Sequence, residues 1–551
     1  VSRYLFRLSY GPVQPFIAAS RRTRDLRNGS LLLLEIGAWM LNEVKTAGRD
    51  IRWIFPHEPS AAAANVLQFV ADTDDPAGLV AACRSAAVRG FRECYERQNL
   101  PLPDLATRQF DAYLQFFAAW EPLASDADYP AAHRAVGARL AARKALRAFP
   151  AAPSHQGEKA NGRIHYPPKS PLLPSLDCVL PLEGIEVAES AQDRYLVDPY
   201  EFLDGISLLK RRTKSDTPFP STLTVCAYGA VSQLGDEDAM ARFKALVAEA
   251  QRSDWDEDPG ELLFGKSADE EDAGEQANDQ RKRTAHPAPQ DKKDEIEAIR
   301  RRLRDAGIGL RAYYAVLHAD GDGMGRRLSQ LQTPDEHREF SRTLAECFAD
   351  RVPEIVGRHH GATVYAGGDD VLALLPAETA IDCAVELNRL FREAVPGCTL
   401  SVGLAIVHTH HSLQHAIGLS RELEARAKSR EGKNALAIGA YPRNGGETVV
   451  CLGFDEQDES PLSLSHFREH LAKWKEGIPR SLPYDLRDEA SRLPRHPLPW
   501  VVPGAYQRIV QRKRLQGAAK LPPGWVKDRD SLQRYAEHLA VAHFLTRGGS
   551  R

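Results

Sequence analysis

Between Arg311 and Arg443 the sequence alternates strand-like and helix-like runs in an order that few folds accommodate. RAYYAVLHADGDGMG opens the stretch, and Tyr313, Tyr314, Val316 and Leu317 favour a strand. The amphipathic run SQLQTPDEHREFSRTLAECFADRVPEIVGRHHG predicts helix. TVYA and VLAL follow as two apolar strands, joined only by Gly367–Gly368–Asp369–Asp370. A helix over 378–393, the strand TLSVGLAIV, a helix over 412–428 and the strand NALAIGAYPR complete the series. The order is β-α-β-β-α-β plus an extra edge strand, the split βαβ or ferredoxin-like arrangement.

That topology gives the acidic residues a meaning. Strand one and the following hairpin are central neighbours in such a sheet. Asp320 ends strand one and Asp369 lies 49 residues later on the hairpin tip, so the two are expected to approach at one end of the sheet. Carboxylates gathered there repel unless a cation neutralises them. Hard oxygen donors point to Mg²⁺ or Mn²⁺, with Asp320, Asp322, Asp369 and Asp370 as candidate ligands. A cation so held polarises an α-phosphate and activates a 3′-hydroxyl. Gly321, Gly323 and Gly325 let backbone amides approach a triphosphate, and Gly367 and Gly368 relax the hairpin. Asp322 reads either as a second ligand or as a helix cap. Taken alone, DGDG is a turn and GGDD a hairpin turn; in this order between apolar strands they argue for metal and nucleotide. Lys428 and Lys433, in RAKSREGKN, read either as triphosphate contacts or as a solvated helix end.

The rest of the chain sets limits. At 551 residues it exceeds one core, and a net charge of -3 leaves nucleic-acid contact to local patches. No apolar run approaches the about 20 residues that span a bilayer, and VSRYLFRLSYG lacks a signal-peptide pattern, so cytoplasm is the expected compartment and no membrane is implied. The 8 cysteines contain no CxxC pair, which argues against zinc and disulfides. The histidines of VHTHHS read as loop residues. Near the start, a strand, the helix LLLLEIGAWMLNEVKTAG and the strand IRWIFP form a second α/β unit. Residues 77–95, 103–120 and 131–148 read as helical. Residues 166–225 are proline-rich and irregular.

The predicted division is 1–75 (completed by parts of 180–235), a helical region 76–165, a middle region 166–251, an acidic disordered linker 252–290, the metal-bearing domain 291–455 and a helical domain 456–551.

HADGDGMG, YAGGDDVLAL, LSVGLAIV and ELEARAKSREGKNALAI resemble, in order and spacing, the large polymerase-cyclase subunit of type III CRISPR effector complexes, the Cmr type above all. GPVQPFIAASRRTRDLRNGS and LDGISLLKRR are similar to its first palm domain and a later segment. The resemblance implies an α+β protein with two ferredoxin-like palm (nucleotidyl cyclase-like) domains, an intervening helical domain and a C-terminal helical one. The second palm would join ATP into cyclic oligoadenylates when the complex binds foreign RNA. Asp320 and Asp369 would hold metals, with Asp370 assisting as ligand or base. Ser401 would line the nucleotide pocket, and Lys428 and Lys433 would meet triphosphate. The first palm lacks an acidic hairpin and would be catalytically silent.

Many such proteins carry an N-terminal nuclease domain and a four-cysteine zinc ribbon. This sequence starts at the first palm and has Cys178 alone, so neither DNase activity nor zinc is expected. Implied partners are other Cmr- and Csm-type subunits, guide crRNA and target RNA. Arg21, Arg22, Arg24, Arg27, Arg512, Lys513 and Arg514 are candidate RNA contacts. Two rival readings stay open: a cyclase making a cyclic dinucleotide from GTP, and a silent palm scaffold that only organises RNA and partners.

Overall fold

The computed structural model describes residues 2–59, 65–98, 104–146, 158–160, 163–165, 168–180, 187, 196–198, 200–213, 218–253, 255, 257–265, 287–443, 445–455, 463–474, 478–494, 497–515 and 525–546. The chain divides into two compact units. One is Val1–Phe219 with Gly323–Arg351 and Val364–Asp369; the other is Pro220–Asp322 with Val352–Thr363 and Asp370–Arg551.

The first unit is built on an antiparallel sheet of β1 (Ser2–Gly11), β2 (Arg49–Phe55), β3 (Val66–Thr73) and β4 (Gln115–Pro122), ordered β2-β3-β1-β4. Alternation along β1 sends Leu5 to one face and Phe6 to the other. Phe6 stacks on its register partner Phe69 at 5.1 Å. Leu5 joins Ile54, Val70 and Ala119 in a core closed by the helix Tyr129–Ala145. That helix contributes Tyr129, Ala132, Val136 and Leu140, a three-to-four-residue stripe.

Two strands depart from the sequence reading. The run 103–120, read as one helix, is a helix Asp104–Tyr113 followed by β4. β3 also belongs to the sheet, where no strand is evident from sequence. Within 180–235, the helix Gly205–Arg212 groups with this unit and the helix Thr222–Ser232 with the second. β5 (Glu158–Ala160) and β6 (Arg163–His165) pair as a small separate ribbon.

The segment LDGISLLKRR locks onto the helix Thr23–Ala47. Asp204 caps the helix Gly205–Arg212 by accepting from the Ser207 amide at 2.9 Å. The buried Arg211 guanidinium bonds both oxygens of Asp25 at 2.8–3.0 Å and both of Glu201 at 2.8–2.9 Å. Burial alone would push the Glu201 carboxyl up, but Arg211 outweighs it and holds the group at about 2. Asn28 donates to the carbonyls of Lys210 and Thr213 at 2.8 and 2.7 Å. Lys210 is fully buried; its ammonium is received by the carbonyls of Phe16, at 2.9 Å, and Ala19, and by Ser20 Oγ at 3.1 Å. Burial pulls its pKa down to about 8. A Cβ on Gly29 would stand 3.1 Å from the Lys210 side chain, so glycine admits this approach.

The second unit carries the predicted sheet except Val364–Gly367 of one edge strand, which group with the first. β7 (Tyr313–Asp322), β8 (Ala362–Gly367), β9 (Asp370–Pro376), β10 (Thr399–His408), β11 (Ala435–Tyr441) and β12 (Thr448–Gly453) lie in the order β12-β11-β10-β7-β9-β8. β7 is antiparallel to both β9 and β10, and β11 runs parallel to β10. β12 extends the edge by one strand beyond the sequence reading. The helix Leu413–Ser429 packs on β10, β7 and β11.

Gly403 permits that packing. A Cβ there would lie 2.2 Å from the Ser420 carbonyl and 2.4 Å from the Glu424 amide. Gly403→Val is therefore expected to destabilise this unit by about 1–3 kcal/mol, read as a lowered denaturant midpoint. An unchanged midpoint would contradict the close approach.

Helices Thr222–Ser232, Glu237–Arg252 and Gln290–Asp305 share a core of Val231, Phe243, Leu246, Ile296 and Ile299. Within the acidic stretch 252–290, Pro259–Phe264 is a helix capped by Asp258, with Leu263 buried. That part is folded, not disordered as predicted; 266–286 lie outside the described residues. At the C-terminus, helices Leu464–Lys473, Leu482–Arg492 and Val501–Lys513 precede Arg529–Thr546, which packs on β11 and β12. Arg311 donates to the carbonyls of Phe544 and Leu545 at its end, both at 2.8 Å. No helix among the described residues is long and apolar enough to cross a membrane.

Candidate functional site

Of the predicted site residues, Asp320, Asp322, Asp370, Ser401 and Lys428 come together at the end of β7. Successive even positions of a strand share a face, so His318, Asp320 and Asp322 point the same way. Across the sheet, Asp320 is the register partner of Asp370 on β9 and of Ser401 on β10. Like charges directly opposite on paired strands are destabilising. The second unit supplies a counter-charge: the Lys428 ammonium contacts the Asp320 carboxylate and lies 3.1 Å from Glu424. Close packing at Gly403 brings Ser420 and Glu424 onto the sheet, and the helical repeat carries Lys428 one turn further along the same side.

Asp322 is buried and held by three donors. Its Oδ2 accepts from Ser401 Oγ at 2.7 Å, Thr399 Oγ1 at 3.0 Å and the Asn434 amide at 3.2 Å. The helix that follows, Met324–Gln330, has Gly323 at its N-cap and no side-chain cap, so Asp322 does not cap it. Ser401 is fully buried with its hydroxyl committed to Asp322. It stands behind that carboxylate, where the resemblance implied a residue lining the pocket. Asn434 lies in a turn where Gly432, Lys433 and Asn434 all have positive φ, of 78°, 54° and 47°. Asn and Gly tolerate this region and Lys does so at a cost. The turn aims the Asn434 amide at Asp322, while its side chain accepts from Asn388 at 2.9 Å. Lys433 sits on the exposed part of this turn.

Gly321 is within β7, opposite Leu400. Gly323 and Gly368 adopt positive φ, 81° and 69°, as turns leaving β7 and entering β9 require. Gly367 ends β8. The two hairpin aspartates fall in different compact units: Asp369 groups with the first and Asp370 with the second.

Two neighbours were not singled out from sequence. His318 is buried, and burial pulls its pKa down to about 4, leaving the ring neutral at pH 7. Its Nδ1 is 4.0 Å from Glu424. Burial raises the Glu424 carboxyl above the usual range, with Asp320 and Asp322 adding to the shift and Lys428 opposing it.

Among the described residues, no three His, Cys, Asp or Glu side chains stand gathered as a metal cage. The donor chemistry fits a hard divalent cation all the same. Asp320 and Asp370 share one face, and Asp322 Oδ1 is buried with no hydrogen-bond partner. Cys178 is buried and its thiol is pushed up to about 12, chiefly by burial, as expected of a packed protonated side chain.

Of the candidate RNA contacts, Arg21 and Arg22 pair with Glu201, Arg22 also with Asp198, and Arg512 and Lys513 with Asp485. Arg27 donates to the Val364 carbonyl at 3.0 Å.

Residues 313–437 match the family model described as Cas10/Cmr2, second palm domain. Residues 5–84 match that of CRISPR-associated protein Cmr2, N-terminal. The CRISPR system Cmr subunit Cmr2 of Pyrococcus furiosus is 31% identical over 215 residues, covering 33% of this chain and 24% of that protein. The CRISPR system single-strand-specific deoxyribonuclease Cas10/Csm1 (subtype III-A) of Mycobacterium tuberculosis is 25% identical over 159 residues, covering 24% and 19%. The matched segments thus span about a quarter or less of these relatives.

Among solved structures, a type III-B Cmr-beta complex bound to cognate target RNA contains a chain similar at TM-score 0.65 and 13% identity, covering 99% of this chain and 83% of that one. A Csm1–Csm4 cassette in complex with cA4 gives 0.52 and 14%, covering 99% and 70%.

Strand order and acidic face together define an α+β protein with a palm-like domain and extensive helical regions. More narrowly, the chain belongs to the Cas10/Cmr2 family, the large-subunit family of type III, Cmr-type CRISPR effector complexes.

Proposed function

We propose that the second unit's sheet carries a nucleotidyltransferase site that joins ATP into cyclic oligoadenylates, within a crRNA-guided complex that target RNA activates. The observation that carries this reading is the register pairing of Asp320 with Asp370, with Asp322 on the same face two residues on. Related solved chains are Csm1–Csm4 cassettes with ATP, pppApA or cA4, and Cmr-beta with cognate target RNA.

On this reading Asp320, Asp370 and Asp322 Oδ1 would hold Mg²⁺ or Mn²⁺. Asp370 takes the ligand role expected of Asp369 because it is the register partner of Asp320, and Asp369 assists as ligand or as base for the 3′-hydroxyl, while the donors on Asp322 Oδ2 keep the rim rigid. A divalent cation bound there supplies charge neutralisation at phosphate and a lowered 3′-hydroxyl pKa. Gly321, Gly323, Gly367 and Gly368 leave room for backbone approach, and Lys428 and Lys433 supply charge to the triphosphate. The β2-β3-β1-β4 sheet has the strand order of a ferredoxin-like domain and serves as a first palm without a matching acidic hairpin. Guide and target RNA are held mainly by partner subunits.

Product identification tests the proposal. The assembled complex is given target RNA, Mg²⁺ or Mn²⁺, and ATP or GTP separately. Oligoadenylate formed only with ATP and RNA is the expected result. A GTP-derived dinucleotide made without RNA would overturn it in favour of a GTP-using cyclase.

A further inference from the structure

Glu424 has no part in the reaction just proposed, yet it is placed with care. It lies one helical turn before Lys428, nearly buried, 4.0 Å from the neutral His318 and 3.1 Å from the Lys428 ammonium. Among the described residues His318 Nδ1 has no hydrogen-bond partner, and Glu424 Oε1 meets the Lys428 ammonium at 3.1 Å. A nearly buried carboxylate is costly unless a cation stands beside it. Lys428 is that cation, and it is shared with Asp320.

We propose that Glu424 is a positioning residue for Lys428: it retains the ammonium when a divalent cation takes Asp320, so that Lys428 acts as a tethered, displaceable counter-ion of the metal site. This rests on the metal-binding reading above.

The physical argument concerns where the ammonium goes. Lys428 and a divalent cation compete for one carboxylate. Without Glu424, an ammonium leaving Asp320 has no fixed partner, and it holds Asp320 more tightly. With Glu424 on its own helix, four residues away, the ammonium swings off Asp320 and keeps an ion pair. It then remains beside the site, charged, where an arriving triphosphate meets it. Glu424 therefore lowers the cost of metal entry through Lys428, not by ligating metal. Arg421 is the other basic residue of this helix acting on His318, and Asp322 completes the charges facing Glu424.

The test is Mn²⁺ binding to the nucleotide-free full chain, followed by electron paramagnetic resonance, for wild type, Glu424→Gln, Lys428→Met and the double variant. Lys428→Met removes the competitor and is expected to tighten Mn²⁺ binding about threefold or more. Glu424→Gln is expected to weaken it about fivefold alone and less than twofold in the Lys428→Met background, a coupling that only action through Lys428 produces. An equal Glu424→Gln effect in both backgrounds overturns the proposal, since Glu424 would then act on the metal directly. So does no effect in either. Thermal unfolding with and without Mn²⁺ on the same samples separates loss of fold from loss of coupling. Wild-type chain that binds no Mn²⁺ at all removes the metal-binding reading itself, a failure distinguishable from missing coupling.

Discussion

Replacing Asp369 and Asp370 together by Ala is expected to cut oligoadenylate synthesis by about a thousandfold or more, a loss of roughly 4 kcal/mol of transition-state stabilisation. Guide-directed RNA binding and the melting temperature should stay near wild type. The physical reason is local. Asp370 faces Asp320 across paired strands, and removing it leaves the sheet's hydrogen bonds intact because the pairing is made by backbone. Losing one of two opposed carboxylates even relieves repulsion in the free protein. The variant should therefore fold at least as well as wild type while losing the donors that a divalent cation needs. Product formed at the wild-type rate would end the catalytic proposal and favour the silent scaffold. Measuring synthesis and melting on the same preparation keeps a folding defect from passing as a catalytic one.

Arg211→Ala is expected to destabilise the first unit by about 3–5 kcal/mol, because two buried carboxylates lose their shared partner. Arg211→Lys should recover little, since an ammonium cannot bond both oxygens of Asp25 and of Glu201 in one plane. The same network predicts an acid profile. Glu201 has its folded pKa depressed to about 2, below the usual carboxylate value. Its contribution is therefore fully present above about pH 4.5 and is lost as pH falls toward 2. Denaturant unfolding across that window should show wild type losing stability that Glu201→Gln never had. Parallel curves for the two proteins would rule out the assigned role of this pair.

The second unit's sheet was legible in sequence because its strands are contiguous, strongly apolar and separated by clear helices. TVYA and VLAL could be nothing but a hairpin with four residues between them. The first sheet was half hidden. β4, in QFFAAWEP, places two phenylalanines side by side and follows a helix without a breaker, so neither period dominates. β12 is six residues long and follows the Gly445–Gly446 pair, a turn signal whose second strand the sequence reading did not assign.

The site itself was legible in its acidic residues and not in what holds them. Asp322 gains its role from Thr399, Ser401 and Asn434, which are 77, 79 and 112 residues away. Those distances in sequence close only when β10 pairs with β7 and the strained turn at Asn434 folds back. Glu424 looks like half of an ordinary surface pair with Lys428. Only the missing side chain at Gly403, which lets the helix sink, makes it buried. The left-handed Lys433 was visible only as part of REGKN, a turn-like string with no hint of strain.

The lock between Asp25 and Arg211 also orders events during synthesis. The two residues are 186 positions apart, and Asp25 is buried only once Arg211 reaches it. At about 5–20 residues per second, a ribosome needs about 10–40 s to extend the chain that far. For that interval the amino-terminal helix is complete in sequence and lacks the guanidinium that bonds both oxygens of its inward carboxylate. A nascent chain halted before Gly205 would thus keep this helix exposed to chaperones and proteases, whereas one extended far enough past Thr213 for that segment to leave the ribosome would shelter it.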